Sequence, residues 1–388
     1  MNFFSEYSFT SGSARKRRSA TGIALIAATF FGLAGMVPVQ AADKPAGQPA
    51  PQFQVDPFWP KPLPNQWVMG AIAGVHVDSH DHIWVNQRPR SLTRFESAAV
   101  ANPPTNVCCR PAPAIMEFDR EGNLLRHWGG PGAGYEWPES EHGIFVDSED
   151  NVWVAGNGKN DAQVLKFTAD GKFLMQIGKS GQSKGSNDTA NMGQPAELWV
   201  DTPAKELYVA DGYGNRRIIV YDSVTGKYKR HWGAYGKKPS DEGNPTALYD
   251  AKAPPEKQFR NPVHCVIISK AGLVYVCDRE NNRFQIFKKD GTFVKEAILG
   301  KALLEGITCN AAFSKDPEQK YIYIVDAGSN LVHVALRETL EIVSAFGGGG
   351  HNAGQFTTPH TVGVDSKGNL YVGEVMEGKR VQKFVPKS

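Results

Sequence analysis

Three histidines, His142, His264 and His360, stand at the same place in repeated segments of the chain. "HGIFVDSEDNVWV", "HCVIISKAGLVYV" and "HTVGVDSKGNLYV" each put the imidazole five residues before the Asp or Ser that ends an apolar run. Neutral imidazoles suit Zn²⁺ or another borderline divalent metal, and a site with only three protein ligands keeps one position open for water or substrate. The chemistry this predicts is metal-assisted catalysis. Its condition is that the fold brings three distant residues together.

The segments around the histidines supply that condition. Each reads as a strand, a tight turn and a second strand, and the same pattern recurs from Ala73, Ala196 and Cys309, making six copies. A loop and a third alternating strand follow each hairpin, as in "RIIVYD" or "QVLKFTADG", and often a fourth, as in "KFLMQIG". Copies of this kind, strand-rich and without sustained helical periodicity, exclude a helical solenoid and predict an all-β, six-bladed β-propeller over residues 66–388. Two long insertions fall near residues 90–112 and 234–258. Residues 42–65, rich in Pro and Gly, form a lead-in whose "QFQVDPF" is placed to supply the strand that closes the ring. The positions equivalent to the three histidines in the other copies are Ala73, Ala196 and Cys309, so histidine occupies every second blade. Alternate blades lie about 120° apart around a six-bladed axis. Three imidazoles therefore converge on the axis, with small residues at Ala73 and Ala196 leaving room between them. Cys309, at the fifth blade, is the rival fourth ligand that would close the site and make it structural.

Residues 1–41 read as a secretory leader: Arg15, Lys16, Arg17 and Arg18, an apolar run from Thr21 to about Val39, and "VQA" ending at Ala41. The expected location is periplasmic or extracellular, with no membrane span after processing. The 43 basic and 40 acidic residues of the chain include four basic residues and Glu6 in this leader, so the mature part balances at 39 of each. Balanced charge without a basic run argues against nucleic acid and against a polybasic membrane patch. Five cysteines, Cys108, Cys109, Cys265, Cys277 and Cys309, leave at least one thiol over, and their spacing matches no zinc ribbon.

The loops after the second strands share a mouth with the histidines. "ADGYGNRR" presents Tyr213, "CDRENNR" presents Arg279, and "VNQRPR" presents Arg88 with Arg90 as its rival; the neighbouring Asp and Asn residues also suit plain turns. Here the chain resembles the peptidyl-α-hydroxyglycine α-amidating lyases, six-bladed propellers of the NHL-repeat class. The resemblance is densest in "GQPAELWVDTPAKELYVADGYGNRRIIVYD" and "QFRNPVHCVIISKAGLVYVCDRENNR". It implies zinc on His142, His264 and His360, Tyr213 as the catalytic acid/base, and Arg88 and Arg279 as groups that bind or polarise the substrate. The implied reaction splits the C–N bond of a C-terminal α-hydroxyglycine into a peptide amide and glyoxylate.

The chain also departs from that pattern. The family's channel calcium uses two backbone carbonyls, which Val75 and Ile144 could offer, and an Asp directly after the third His, which here is Thr361. That speaks against calcium. Gly214 replaces a family cysteine, and Thr358 a family Met. No copper monooxygenase domain accompanies the repeats, so a related carbinolamide such as ureidoglycolate is an alternative substrate. The expected partner is a small molecule or a peptide C-terminus, bound by a monomer. Two rival functions are a cell-envelope binding propeller with a structural metal and a lactonase-like metal-dependent hydrolase.

Overall fold

Each hairpin is fixed by its own turn. Asp147 accepts hydrogen bonds at Oδ1 from the backbone N–H of Glu149 and of Asn151, both 3.0 Å, and at Oδ2 from Trp153 Nε1 at 2.9 Å. Asp78 serves His80, His82 and Trp84 in the same way, and Asp365 serves Lys367, Asn369 and Tyr371. One carboxylate thus closes the turn and anchors an aromatic side chain in the next strand, which is why the Asp and the aromatic recur six residues apart.

The computed structural model describes residues 50–243, 250, 252–300 and 307–387. Among them, six four-stranded antiparallel sheets form the blades of a propeller, as the repeats predict. The innermost strands of blades 1 to 6 are Ala71–Val77, Glu141–Val146, Glu197–Asp201, Val263–Ile268, Asn310–Phe313 and Pro359–Val364. Phe53–Asp56 pairs with Val381–Pro386, so the lead-in supplies the outer strand of blade 6 and closes the ring. The leader expected over residues 1–41 lies outside the described residues. No helix among the described residues is long and apolar enough to cross a membrane.

The apolar core lies between facing blades. Trp84 and Ile115 of blade 1, for example, pack with Ile144, Val154 and Leu165 of blade 2. Cys265 and Cys277 are joined across the first two strands of blade 4, and the adjacent Cys108 and Cys109 are joined in the first insertion. Cys309 is the thiol left over, and it is buried.

The histidines do not sit in regular strand pairing. The ladder slips around each of them, between Glu141 and Ile144, between Val263 and Cys265, and between Pro359 and Thr361; the same slip occurs at Ala73, between Ile72 and Gly74. A bulge of this kind breaks the in/out alternation and re-aims a side chain. Here it turns the imidazole toward the axis. Glycine is required beside it: a Cβ on Gly143 would lie 2.5 Å from the Ala196 carbonyl oxygen, and one on Gly74 2.6 Å from that of His142. Gly143→Ala is expected to destabilise the protein by about 1–3 kcal/mol, because backbone rather than a movable side chain must give way. Urea denaturation measures this, and a loss below about 0.5 kcal/mol would contradict the close approach.

Candidate metal centre and active site

The three imidazoles meet at the axis. Their ring centroids form a near-equilateral triangle with sides of 5.0, 4.8 and 4.8 Å, and their ligand nitrogens all lie within 4.8 Å of one another. Each ring is oriented by the following blade. Nδ1 of His142 donates to the carbonyl of Ala196 (2.8 Å), that of His264 to Cys309 (2.5 Å) and that of His360 to Ala73 (2.9 Å). A carbonyl can only accept, so the proton is on Nδ1 and Nε2 faces the axis with a free lone pair.

This leaves the centre short of donors. His264 Nε2 and His360 Nε2 are 3.1 Å apart, and Tyr213 Oη lies 3.1 Å from His142 Nε2 and 3.0 Å from His264 Nε2. One hydroxyl proton cannot serve three acceptors. A divalent cation satisfies all three at once, and the separation suits imidazoles sharing one small ion. Protons are the poorer solution: burial, His360, Arg88 and Arg279 hold His142 well below the usual imidazole range, burial, His360, Arg279 and His142 do the same for His264, and burial with Arg88 and Arg279 brings His360 to about 3. The three-histidine group can therefore hold a metal ion, with Tyr213 beside its open face.

Cys309 does not complete the ligand set. Its carbonyl holds His264 from behind, and its Sγ is 3.8 Å from Nδ1, the side turned away from the centre. Burial pushes the thiol up to about 11. It backs the site, which stays open.

Tyr213 and Arg279 are presented by equivalent loops, each pinned by a buried ion pair. Asp211 Oδ2 accepts from Arg217 Nε (2.8 Å) and Asn215 Nδ2 (2.7 Å); Asp278 Oδ2 accepts from Arg283 Nε (2.7 Å) and Asn281 Nδ2 (2.8 Å). Breaking such a pair by removing one partner costs about 3–5 kcal/mol. Asp211, Asn215 and Asp278 thus act as the turn formers their types suggest, while in the second loop the Asn bonded to Asp278 is Asn281, and Asn282, the other expected turn former, takes the left-handed position that ends the turn. Arg279 bonds Glu280 at 2.9 Å and lies 5.9 Å from the Tyr213 ring centroid. Burial raises the Tyr213 hydroxyl above its ordinary range, and Arg279 and Arg88 pull it back.

Arg88, not Arg90, faces the centre. Arg88 donates to the Glu141 carbonyl (2.7 Å) and Asn157 Oδ1 (2.9 Å), and among the described residues it makes no ion pair. Arg90 points away to the Pro138 and Glu139 carbonyls. Arg88, Arg279, Tyr213 and His360 line one open cleft of about 350 Å³. Cys309 and Thr358 also line it; sequence reasoning missed the rest of its wall, Asn157 and Glu280, which steady the arginines, Ala327 and Gly328 of blade 5, and Val375 and Met376 of blade 6. The signal available was only that the "EVMEG" loop after the second strand of blade 6 is equivalent to the Tyr213 and Arg279 loops.

Further along the axis the residues do not fit calcium at the expected place. The Thr361 hydroxyl is committed to the Val75 N–H (3.2 Å). The carboxylate in this part of the channel is Glu197, from blade 3; it accepts from Asn310 Nδ2 (3.1 Å), and burial pushes it up to about 8.

Fold and site together define an NHL-repeat propeller with a three-histidine centre. The chain is 26% identical over 353 residues to NHL repeat-containing protein 3 of Mus musculus, covering 87% of this chain and 85% of that protein. It is 29% identical over 272 residues to Peptidyl-alpha-hydroxyglycine alpha-amidating lyase 1 of Drosophila melanogaster, covering 66% of this chain and 47% of that protein. Peptidyl-glycine alpha-amidating monooxygenase B of Xenopus laevis is 33% identical over 157 residues, 40% of this chain and 16% of that protein. No family profile matches the chain. A solved streptogramin B lyase shares the fold at 12% identity, with a TM-score of 0.51 over 86% of this chain and 98% of that one. These similarities, together with the six-bladed fold, support a relation between the chain and the NHL-repeat propellers that include the peptidyl-α-hydroxyglycine α-amidating lyases.

The buried neutral imidazoles set a pH dependence. The unfolded chain binds protons on histidine near pH 6.5, whereas the folded centre refuses them until about pH 3 for His360. Between these values the unfolded state carries the extra proton, so stability is full above pH 6.5 and falls as pH drops, by about 1.4 kcal/mol per pH unit for each such group. Urea midpoints of the metal-free protein between pH 7 and pH 5 are expected to decline more steeply for the wild type than for His360→Gln. Equal slopes would contradict a proton-free centre.

Proposed function

We propose that the chain is an exported, zinc-dependent carbon–nitrogen lyase acting on carbinolamides: a peptidyl-α-hydroxyglycine, giving peptide amide and glyoxylate, or a related small substrate such as ureidoglycolate. The observation that carries this reading is the position of Tyr213 Oη, within 3.1 Å of two axial Nε2 atoms, in the cleft where Arg88 has no ion pair among the described residues. Support also comes from relatives named as amidating lyases. The leader-like residues 1–41 support export.

Arg88 and Arg279 pair with the substrate carboxylate, Arg88 because its partly buried charge has no ion pair among the described residues and Arg279 because its guanidinium lines the same cleft as Tyr213. That fixes the carbinol carbon near the axis. The three Nε2 atoms would hold a divalent cation, which would acidify the carbinol hydroxyl and the neighbouring Tyr213 hydroxyl. Tyr213, reacting as the tyrosinate, takes the carbinol proton at Oη, the C–O bond becomes the aldehyde of glyoxylate as the C–N bond breaks, and Tyr213 returns that proton to the leaving amide nitrogen. No water is consumed and no atom is left over. A binding propeller has no use for a partly buried tyrosine, and an arginine without an ion pair among the described residues, beside three converging imidazoles.

Tyr213→Phe is expected to lower kcat by about 10²–10⁴-fold while leaving metal content at the wild-type level. His264→Ala is expected to lose both metal and activity. Metal analysis together with glyoxylate release from an α-hydroxyglycine peptide checks the pair; full activity in Tyr213→Phe would remove the tyrosine from the reaction.

A further inference from the structure

The cleft has two unlike sides. Arg88, Arg279 and Tyr213 form the polar side, whereas Val375 and Met376 of blade 6, with Ala327 and Gly328 of blade 5, form an apolar one. Met376 is 63% exposed, although it is a large apolar side chain on the wall of the cleft. Its backbone is left-handed, with φ 52°, and so is that of its neighbour Thr358, with φ 63°. For a β-branched residue this is a genuine outlier, and strain of this sort persists only where surrounding structure enforces it.

The enforcement is visible. Val375 N donates to the Thr358 carbonyl (3.0 Å), Thr358 N to Asn330 Oδ1 (2.8 Å), and buried Glu374 is paired with Arg380 at 2.6 Å. On the far side of the loop Lys379 is paired with Glu96 of the first insertion at 2.9 Å. The loop is therefore held on both flanks, and what it presents at the cleft is an apolar side chain that stays 63% exposed among the described residues. With the substrate carboxylate on the arginines and the carbinol carbon at the axis, the group beyond the amide nitrogen must leave across this wall.

We propose that Met376, held by the strained Thr358–Val375 contact, forms a subsite for an apolar acyl group on the amide nitrogen. The substrate class is then N-acyl-α-hydroxyglycines whose acyl part is apolar, such as peptides ending in an apolar residue before the hydroxyglycine, and not ureidoglycolate, whose carbamoyl group offers nothing to bury. This rests on the lyase reading for the orientation of the substrate. The subsite can nonetheless be tested apart from turnover.

The probes are N-benzoylglycine and N-acetylglycine, which share the carboxylate and differ in the apolar group, titrated calorimetrically into the metal-loaded full chain. N-benzoylglycine is expected to bind at least about tenfold more tightly than N-acetylglycine. Met376→Asn keeps a residue that tolerates the left-handed backbone, and Met376→Gly removes the strain. Both are expected to fold with an unchanged or higher melting temperature and to bring the ratio within about twofold. A wild-type ratio already within twofold, or a ratio unmoved in both variants, overturns the subsite. Glyoxylate release from N-benzoyl-α-hydroxyglycine is measured alongside. Selective binding without release keeps the subsite and removes the lyase reading; release with equal binding of the two probes does the reverse.

Discussion

The centre depends on one repeated interaction, the hydrogen bond from a histidine Nδ1 to the carbonyl of the next blade. Ala196, Cys309 and Ala73 accept from His142, His264 and His360, so the odd blades supply carbonyls and the even blades supply imidazoles. A six-bladed ring is thereby divided into a threefold site. The bond also fixes the tautomer, and with it the direction of every lone pair at the axis. Its geometry explains otherwise unrelated features: bulges at the histidines, glycines where neighbouring inner strands touch, and small side chains at Ala73 and Ala196.

Around that centre the charges that hold the structure differ from the charge of Arg88, which has no ion pair among the described residues. Asp211–Arg217 and Asp278–Arg283 are fully buried and mutually satisfied, and they brace the loops beneath Tyr213 and Arg279. Arg88 is treated differently. It is partly buried against a carbonyl and an amide oxygen, both neutral, and its charge is raised in energy by that desolvation. A guanidinium in this state favours a carboxylate ligand by more than an exposed one would, because its desolvation is already met by the fold.

The blades were legible because the turn chemistry is local. An Asp that closes its own hairpin and bonds an aromatic six residues on leaves the same signature wherever it occurs, and aligning six copies is enough to see histidine in every second one. Tyr213, Arg279 and Arg88 were legible for the same reason, since they follow equivalent second strands. What was not legible depends on closure of the ring. Nothing local marks the carbonyl that will hold an imidazole, the turning of Cys309 to the back of His264, or the rise of Glu197 into the channel in place of a carboxylate at Thr361. The left-handed backbone at Thr358 and Met376 is equally hidden, because neither residue type prefers it.

Ring closure and the centre are also one problem for the folding chain. Phe53–Asp56 must find Val381–Pro386 to complete blade 6, and His360 must find the carbonyl of Ala73, 287 residues earlier. Contacts this distant in sequence bring stability only after a large loop entropy has been overcome. Removing the last histidine therefore disturbs two things together, the third ligand and the seam at which the first and last blades meet. A cation held by the histidines of blades 2, 4 and 6 would bind the closed ring and not the open one, so its binding free energy would add directly to closure. The three-histidine group is thus placed where a cation would act as a clasp, beside the contact between blades 6 and 1.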